Sequence, residues 1–359
     1  MLAAVCRTFN APLTIEQVEL APPGPGEVEV GLGACAICHS DVHFIDGAWG
    51  GVLPAVYGHE AAGVVAACGD GVQGVAPGDH VVVTLIRSCG SCYFCERGEE
   101  TACGHDFATS GGSPLRDSAG LELQQGMATA AFAERVVVDR SQLVRIDPGL
   151  SPAAASLLAC GVITGVGAVT NTAAVPAGAS VVVIGVGGVG LNAVQGARIV
   201  GAGPIIVVDI VAAKRETALA FGATAVLDPL AGELAAEVRC LTGGRGADFV
   251  FVTVGSKAAI EQGIGLLRRG GTLVIVGMPA SGVTVDLDPA SLAADGQRVL
   301  GSKMGSSRIS SDIPRLVELY RAGQLKLDEL VSGRYPLSAI NEAIADLRSG
   351  TALRNVIVF

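Results

Sequence analysis

Aromatic side chains make up only 4% of the 359 residues, with a single tryptophan, so the core has to be built from small and branched aliphatic groups. Charge is scarce as well: 16% of the residues are Asp, Glu, Lys or Arg, and the balance is acidic at -10. No Lys/Arg cluster occurs anywhere, which excludes a nucleic-acid partner, since phosphate needs a basic face. Met1 to Asn10 lacks the charged start and long apolar core of a secretory signal, and no run approaches ~18 uninterrupted apolar residues. The expectation is a cytoplasmic protein with no membrane contact. Ten cysteines are too sparse for a disulfide scaffold in a chain this long, and in a reducing cytosol they read as ligands or buried thiols. No internal repeat or low-complexity linker is visible.

What the sequence does have is length, glycine and aliphatic strands. A single core stops growing near ~250 to 300 residues, so 359 residues imply two domains. Up to about residue 150 the chain alternates short β-type runs (Glu27 to Leu32, Gly63 to Ala67, His80 to Thr84) with turn signals such as Pro22-Pro23-Gly24-Pro25-Gly26 and Pro77-Gly78-Asp79. From Val181 to Ile184 onward, strands alternate with helices: Ile205 to Val208, Ala212 to Phe221, Phe249 to Val252 and Leu273 to Val276. That alternation predicts βαβ units in a doubly wound parallel sheet. The tail carries two helical patterns, Ile313 to Ala322 and Ser338 to Leu347, and a last strand, Asn355 to Phe359.

The first of those parallel strands runs into Gly185-Val186-Gly187-Gly188-Val189-Gly190, a G-x-G-x-x-G opening a helix. Gly185 permits the tight turn, Gly187 lets backbone approach a pyrophosphate, and Gly190 lets helix and strand pack closely. The next strand ends in Asp209, a carboxylate that can hold both ribose hydroxyls and repels a 2′-phosphate, so NAD is expected over NADP. Lys214 is a candidate ribose partner, with a solvated surface lysine nearly as good a reading.

Cys89, Cys92, Cys95 and Cys103 follow C-x2-C-x2-C-x7-C. Four thiolates this close satisfy tetrahedral zinc with no open position, the pattern of a structural site. A ferredoxin run, C-x2-C-x2-C-x3-C-P, begins the same way, but the last gap here is longer and Gly104 follows Cys103.

Polar chemistry concentrates in Cys38-His39-Ser40-Asp41-Val42-His43, Gly58-His59-Glu60 and Cys160-Gly161-Val162-Ile163-Thr164. Catalytic zinc takes three protein ligands and keeps a fourth position open, and Cys2His is one known set. By spacing alone, Cys38, His59 and Cys160 are only candidates for it. Together, these stretches resemble, in order and spacing, the zinc-dependent medium-chain alcohol dehydrogenases, from near residue 5 to the ending Leu353-Arg354-Asn355-Val356.

The resemblance implies a discontinuous, GroES-like, β-rich catalytic domain (1–160 and 305–359) holding both zinc sites, and a Rossmann domain (161–304) for NAD. It makes Cys38, His59 and Cys160 the ligands of a catalytic zinc and Glu60 the carboxylate beside it. Asp41 orients the ligand histidine, Ser40 contacts the substrate oxygen, and His43 ends the proton relay. Thr164 and Val189 pack on the nicotinamide, and His39 and Arg354 join the cofactor contacts. His39 stands where many relatives carry an arginine against the pyrophosphate. Trp49, Leu85, Met127 and Met278 line the substrate pocket, with Lys303 nearby.

The implied reaction is reversible hydride transfer between a primary aliphatic, allylic or aromatic alcohol and NAD, with two zinc ions per chain. The alternatives within the family are an aldehyde reductase and a dehydrogenase of glutathione-type thiol adducts. Against the latter, the loop Phe44 to Gly50 carries only Asp46 in place of an acidic pair. The segment Gly104 to Gln125 is short, which should reshape the substrate mouth. A homodimer or homotetramer is expected, joined through the cofactor domain's sheet edge near Thr272 to Val285.

Overall fold

The computed structural model describes residues 1–107, 112–350 and 352–359, so residues 108–111 of the shortened Gly104 to Gln125 segment lie outside the described residues. Two compact units form: Met1–Cys160 with Arg308–Phe359, and Gly161–Ser307.

In the first unit, frequent Gly and Pro keep strands short. Leu2–Cys6, Thr14–Leu20, Leu115–Asp117, Glu122–Gln125 and Ala55–Val56 close into a small barrel. A second sheet runs in the order Leu143–Arg145, His80–Val83, Glu60–Cys68, Glu27–Ala36, Arg354–Val358 and Val331–Pro336, with Arg135–Asp139 also paired to Glu27–Ala36. The core between them is aliphatic, as the scarcity of aromatics requires: Val28, Val30, Val65, Val81, Val83 and Ile357 pack with Phe132, all at 2% exposure or less. Tail and ligand strands share one register. Ala36 lies opposite Glu60 on one side and Val356 on the other, which brings the C-terminal strand beside Glu60.

The second unit is a six-stranded parallel sheet in the order Ala225–Leu227, Ile205–Val208, Val181–Ile184, Ala247–Val252, Leu267–Ile275, Arg298–Gly301. Order reverses beside Val181–Ile184, the switch point where such sheets bind ligands at their carboxyl ends. Arg298–Gly301 pairs with Leu267–Ile275 and forms one edge of the sheet, with Ala225–Leu227 at the other, so Thr272, expected from sequence near an edge, lies on the strand next to it.

Pro152–Thr172 forms a helix long and apolar enough to cross a membrane by length and composition, and 94% of that window is buried inside the protein. It escaped the search for apolar runs because Ser156, Thr164 and glycines interrupt it. Within it, Leu158–Val162 and Ala168–Thr172 are π-helical, wider turns that often mark functional positions. Cys160 sits on the first of them.

Candidate active site

Cys38 caps the short helix His39–Ile45, and Asp41 at its third position accepts the Cys38 backbone N–H at 2.9 Å. The other Asp41 oxygen accepts the Gly58 N–H at 3.0 Å and lies 3.0 Å from His59 Nδ1. One fully buried carboxylate therefore ties both ligand segments together and leaves His59 Nε2 as the ring's outward donor atom. Gly58 is required before His59: at φ +94 its Cβ would stand 2.6 Å from Phe132 N.

The donor atoms of Cys38, His59, Glu60 and Cys160 all lie within 4.8 Å of one another, and none of these residues exceeds 6% exposure. Burial of so many polar groups is costly unless something satisfies them. His59 Nε2 and Glu60 Oε2 have no hydrogen-bond partner. Two thiols, an imidazole nitrogen and a carboxylate converging on one point are a donor set that zinc fits.

Electrostatics agree. The Cys160 thiol beside it, outweighing burial and helped by His59 and Arg354, holds Cys38 well below the usual thiol range. Cys38 and burial push Cys160 well up, so the pair shares one proton with the charge on Cys38. Burial pushes Glu60 up to about 8 despite Arg354.

Arg354 was expected beside the cofactor. It is 4% exposed, and its Nη1 donates to Glu60 Oε1 at 3.2 Å and to Ile37 O at 3.5 Å. The strand register delivers it there, a pairing that sequence position alone gave no sign of. Ser40 Oγ lies 3.6 Å from Cys38 Sγ, and His43 stacks on Trp49 with ring centroids 4.8 Å apart. His39 is exposed at the head of the same helix. Trp49, Leu85 and Met127 are half-buried in this unit.

Cys89, Cys92, Cys95 and Cys103 form a second cluster, all four half-exposed. Cys92 and Cys103 sulfurs are 3.8 Å apart, and Cys89 and Cys95 4.0 Å. Sulfurs at ~2.3 Å around tetrahedral zinc are about 3.8 Å from each other, so the geometry fits the ion with no place left over. Backbone N–H groups of Ser91 and Cys92 lower Cys89 to about 6, favouring the thiolate form. The loop is fastened to the rest of its unit by Arg308, whose Nε donates to Gly98 O at 2.9 Å.

In the second unit each glycine of the turn has its own cause. Gly185 has φ +85; a Cβ on Gly190 would come within 1.9 Å of Gly185 O; and a Cβ on Gly187 would meet nothing within 4 Å, leaving that face free for a ligand. Gly188 begins the helix Gly188–Ile199, with Val189 half-buried in its first turn. Asp209 accepts the N–H of Val186 in the turn and of Val211 after its own strand, each at 2.8 Å, which fixes its carboxylate at the strand end. These features fit a dinucleotide. Lys214 is half-buried one turn beyond. Thr164, 7% exposed, donates to Met304 Sδ at 3.7 Å. Met278 is 58% exposed and Lys303 is exposed, so this unit by itself gathers neither into a pocket.

Known proteins share both halves. Residues 24–148 match the alcohol dehydrogenase GroES-like domain, and residues 188–322 match the zinc-binding dehydrogenase family. The chain is 40% identical over 365 residues to a putative alcohol dehydrogenase D of Mycobacterium tuberculosis, covering 99% of each. It is equally close, 40% over 364 residues, to an NDMA-dependent alcohol dehydrogenase of Amycolatopsis methanolica, covering 99% of this chain and 98% of that one. The crystal structure of benzyl alcohol dehydrogenase from Acinetobacter calcoaceticus superposes with a TM-score of 0.93 at 32% identity, over 100% of this chain and 99% of that one. With two buried and loop-borne zinc-type clusters, a GroES-like unit and a Rossmann unit, the chain belongs to the zinc-dependent medium-chain alcohol dehydrogenase family and is an alcohol oxidoreductase.

Proposed function

We propose that the protein oxidises primary alcohols, aliphatic, allylic or aromatic, to aldehydes with NAD, and reduces the aldehydes in reverse. The observation that carries this reading is the buried cluster of Cys38, His59, Glu60 and Cys160 with its unpartnered His59 Nε2. Likeness to a benzyl alcohol dehydrogenase supports the aromatic end of the range.

Cys38, His59 and Cys160 would hold the catalytic zinc, with Glu60 beside them. Bound there, zinc supplies a Lewis acid that lowers the pKa of an alcohol toward neutrality. Asp41 keeps the His59 ring oriented by holding Nδ1. Ser40 Oγ accepts the proton of the substrate hydroxyl and passes its own outward toward His43, whose ring is steadied by Trp49. Trp49, Leu85 and Met127 exclude water from the reacting carbon. NAD supplies the hydride acceptor, with Gly185, Gly187, Gly188 and Gly190 at its pyrophosphate and Asp209 at its ribose. In this reading Thr164 and Val189 pack on the nicotinamide, and His39 meets the phosphates.

Asp209 supports NAD over NADP, because a carboxylate fixed by two N–H donors cannot turn away from a 2′-phosphate. Arg215 supports the same choice, since it pairs with Asp228 at 3.0 Å and with the Asp209 carbonyl. A homodimer or homotetramer would form through the cofactor unit, where the edge strand Arg298–Gly301 carries Val299 at 38% exposure.

The test is a panel of primary alcohols with NAD and with NADP, following absorbance of the reduced cofactor. Oxidation of several primary alcohols with NAD is expected. Activity with NADP alone, or with secondary alcohols only, overturns the reading.

A further inference from the structure

Tyr57 is 3% exposed, and among the described residues its Oη is one of four buried side-chain polar atoms with no hydrogen-bond partner. Two of the others, His59 Nε2 and Glu60 Oε2, belong to the metal cluster, and the fourth is Gln125 Oε1. A buried hydroxyl without a partner is a pure cost.

The ring is held on both sides. A Cβ at Gly126 would come within 2.4 Å of Tyr57 Cδ1, and Phe44 stacks on the ring with centroids 5.7 Å apart. Phe44 meets Trp49 edge-on at 5.3 Å, and Trp49 stacks on His43. This aromatic run leads from the relay histidine past the pocket-lining Trp49 to the Tyr57 hydroxyl, while Met127, another pocket residue, follows Gly126 directly. At the hydroxyl end stands Gly51. A Cβ built there would touch only Tyr57 Oη at 3.5 Å and Phe44 Cδ1 at 4.0 Å, so the glycine leaves room for one more heavy atom in front of the hydroxyl.

We propose that Tyr57 Oη is a specificity-determining donor of the alcohol pocket, recognising a neutral ether or hydroxyl oxygen carried by the substrate away from its reacting carbon. The proposal rests on the alcohol-oxidising reading above and names the substrate class within it. A phenol hydroxyl carries its own proton and can donate it in a hydrogen bond.

The test compares benzyl alcohol with its ring-methoxy and ring-hydroxy isomers on the zinc-holding enzyme, by steady-state oxidation and by calorimetric titration, in wild type and Tyr57→Phe. In the wild type one oxygenated isomer is expected to exceed benzyl alcohol about tenfold in both kcat/KM and affinity. In Tyr57→Phe that ratio falls to about one, and Tm stays level or rises, because an unpaired hydroxyl has been removed. Equal ratios throughout the wild-type series overturn the proposal, as does a preference that survives in Tyr57→Phe. A clear fall in Tm also overturns it, since Oη would then be bonded within the protein. If no alcohol is oxidised, the alcohol-oxidising reading fails separately, and the calorimetric ratio still decides the role of Tyr57.

Discussion

The two metal clusters of this protein are built in opposite ways. Cys89, Cys92, Cys95 and Cys103 come from one short loop, are half-exposed, and sit at the sulfur spacing of a closed tetrahedron. Cys38, His59, Glu60 and Cys160 come from a helix cap, the Glu60–Cys68 strand with the residue before it, and a π-helical turn, and are enclosed almost completely. The loop cluster needs its metal because little apolar core surrounds it. The buried cluster has core on every side and gathers an aspartate, a glutamate and an arginine as well. Polar groups are expensive to bury, and a fold that tolerates them there is using them for chemistry.

Breaking the buried cluster should have the largest effect. His59→Ala or Cys38→Ser is expected to lower kcat/KM by at least ~10³-fold, because several kcal/mol of Lewis-acid stabilisation is lost at about 1.4 kcal/mol per tenfold. The zinc count should fall by one with little change in far-UV circular dichroism. Next comes Asp41→Asn, which weakens the hold on His59 Nδ1 while preserving shape. A drop of about 10- to 100-fold in zinc affinity or turnover is expected, read by chelator competition. An unchanged zinc affinity would mean that Asp41 serves only the helix cap.

In the loop, Cys92→Ser should also remove one zinc but act on stability, lowering Tm while turnover at about 20 °C stays within a few-fold of wild type. Gly98→Ala is a milder version. Its φ of +73 suits glycine, and a Cβ would crowd the Arg308 guanidinium, so a loss of about 1 kcal/mol with normal turnover is expected.

The smallest effect lies away from both metals, in the cofactor unit. Burial works against ionising Asp248, but Ser180 and Arg268 outweigh it and hold its carboxyl below the usual range. A folded pKa below the unfolded value contributes stability above about pH 4 that is lost as pH falls through the folded value. Tm followed between about pH 3 and about pH 6 should therefore fall less steeply in Asp248→Asn than in wild type.

How much of this was legible in the sequence differs between the clusters in the same way. Local chemistry is written locally: the loop cysteines, and the turn Gly185 to Gly190 with its strand and helix, follow from spacing because all their partners lie close along the chain. The strands Val181–Ile184 and Ile205–Val208 and the helix Ala212–Phe221 fall where the pattern placed them. The buried cluster depends on sheet register. Cys38, His59 and Cys160 could only be suspected from spacing, and resemblance brought them together. Neither route indicated that Arg354 would face Glu60 across the sheet. Nor could single-residue propensity show the π-helical turn at Cys160, or the three successive positive φ angles at Met304, Gly305 and Ser306, where two of the residues are not glycine. Such backbone is imposed by tertiary contacts and has no local signature.

The most direct test of the contrast is the rate of alcohol oxidation by Cys38→Ser and by Cys92→Ser, measured side by side at about 20 °C on protein shown to hold one zinc per chain. Turnover absent in Cys38→Ser and near wild type in Cys92→Ser is the expected result. Equal loss in both, or retained turnover in Cys38→Ser, would contradict the division of labour between the buried cluster and the loop.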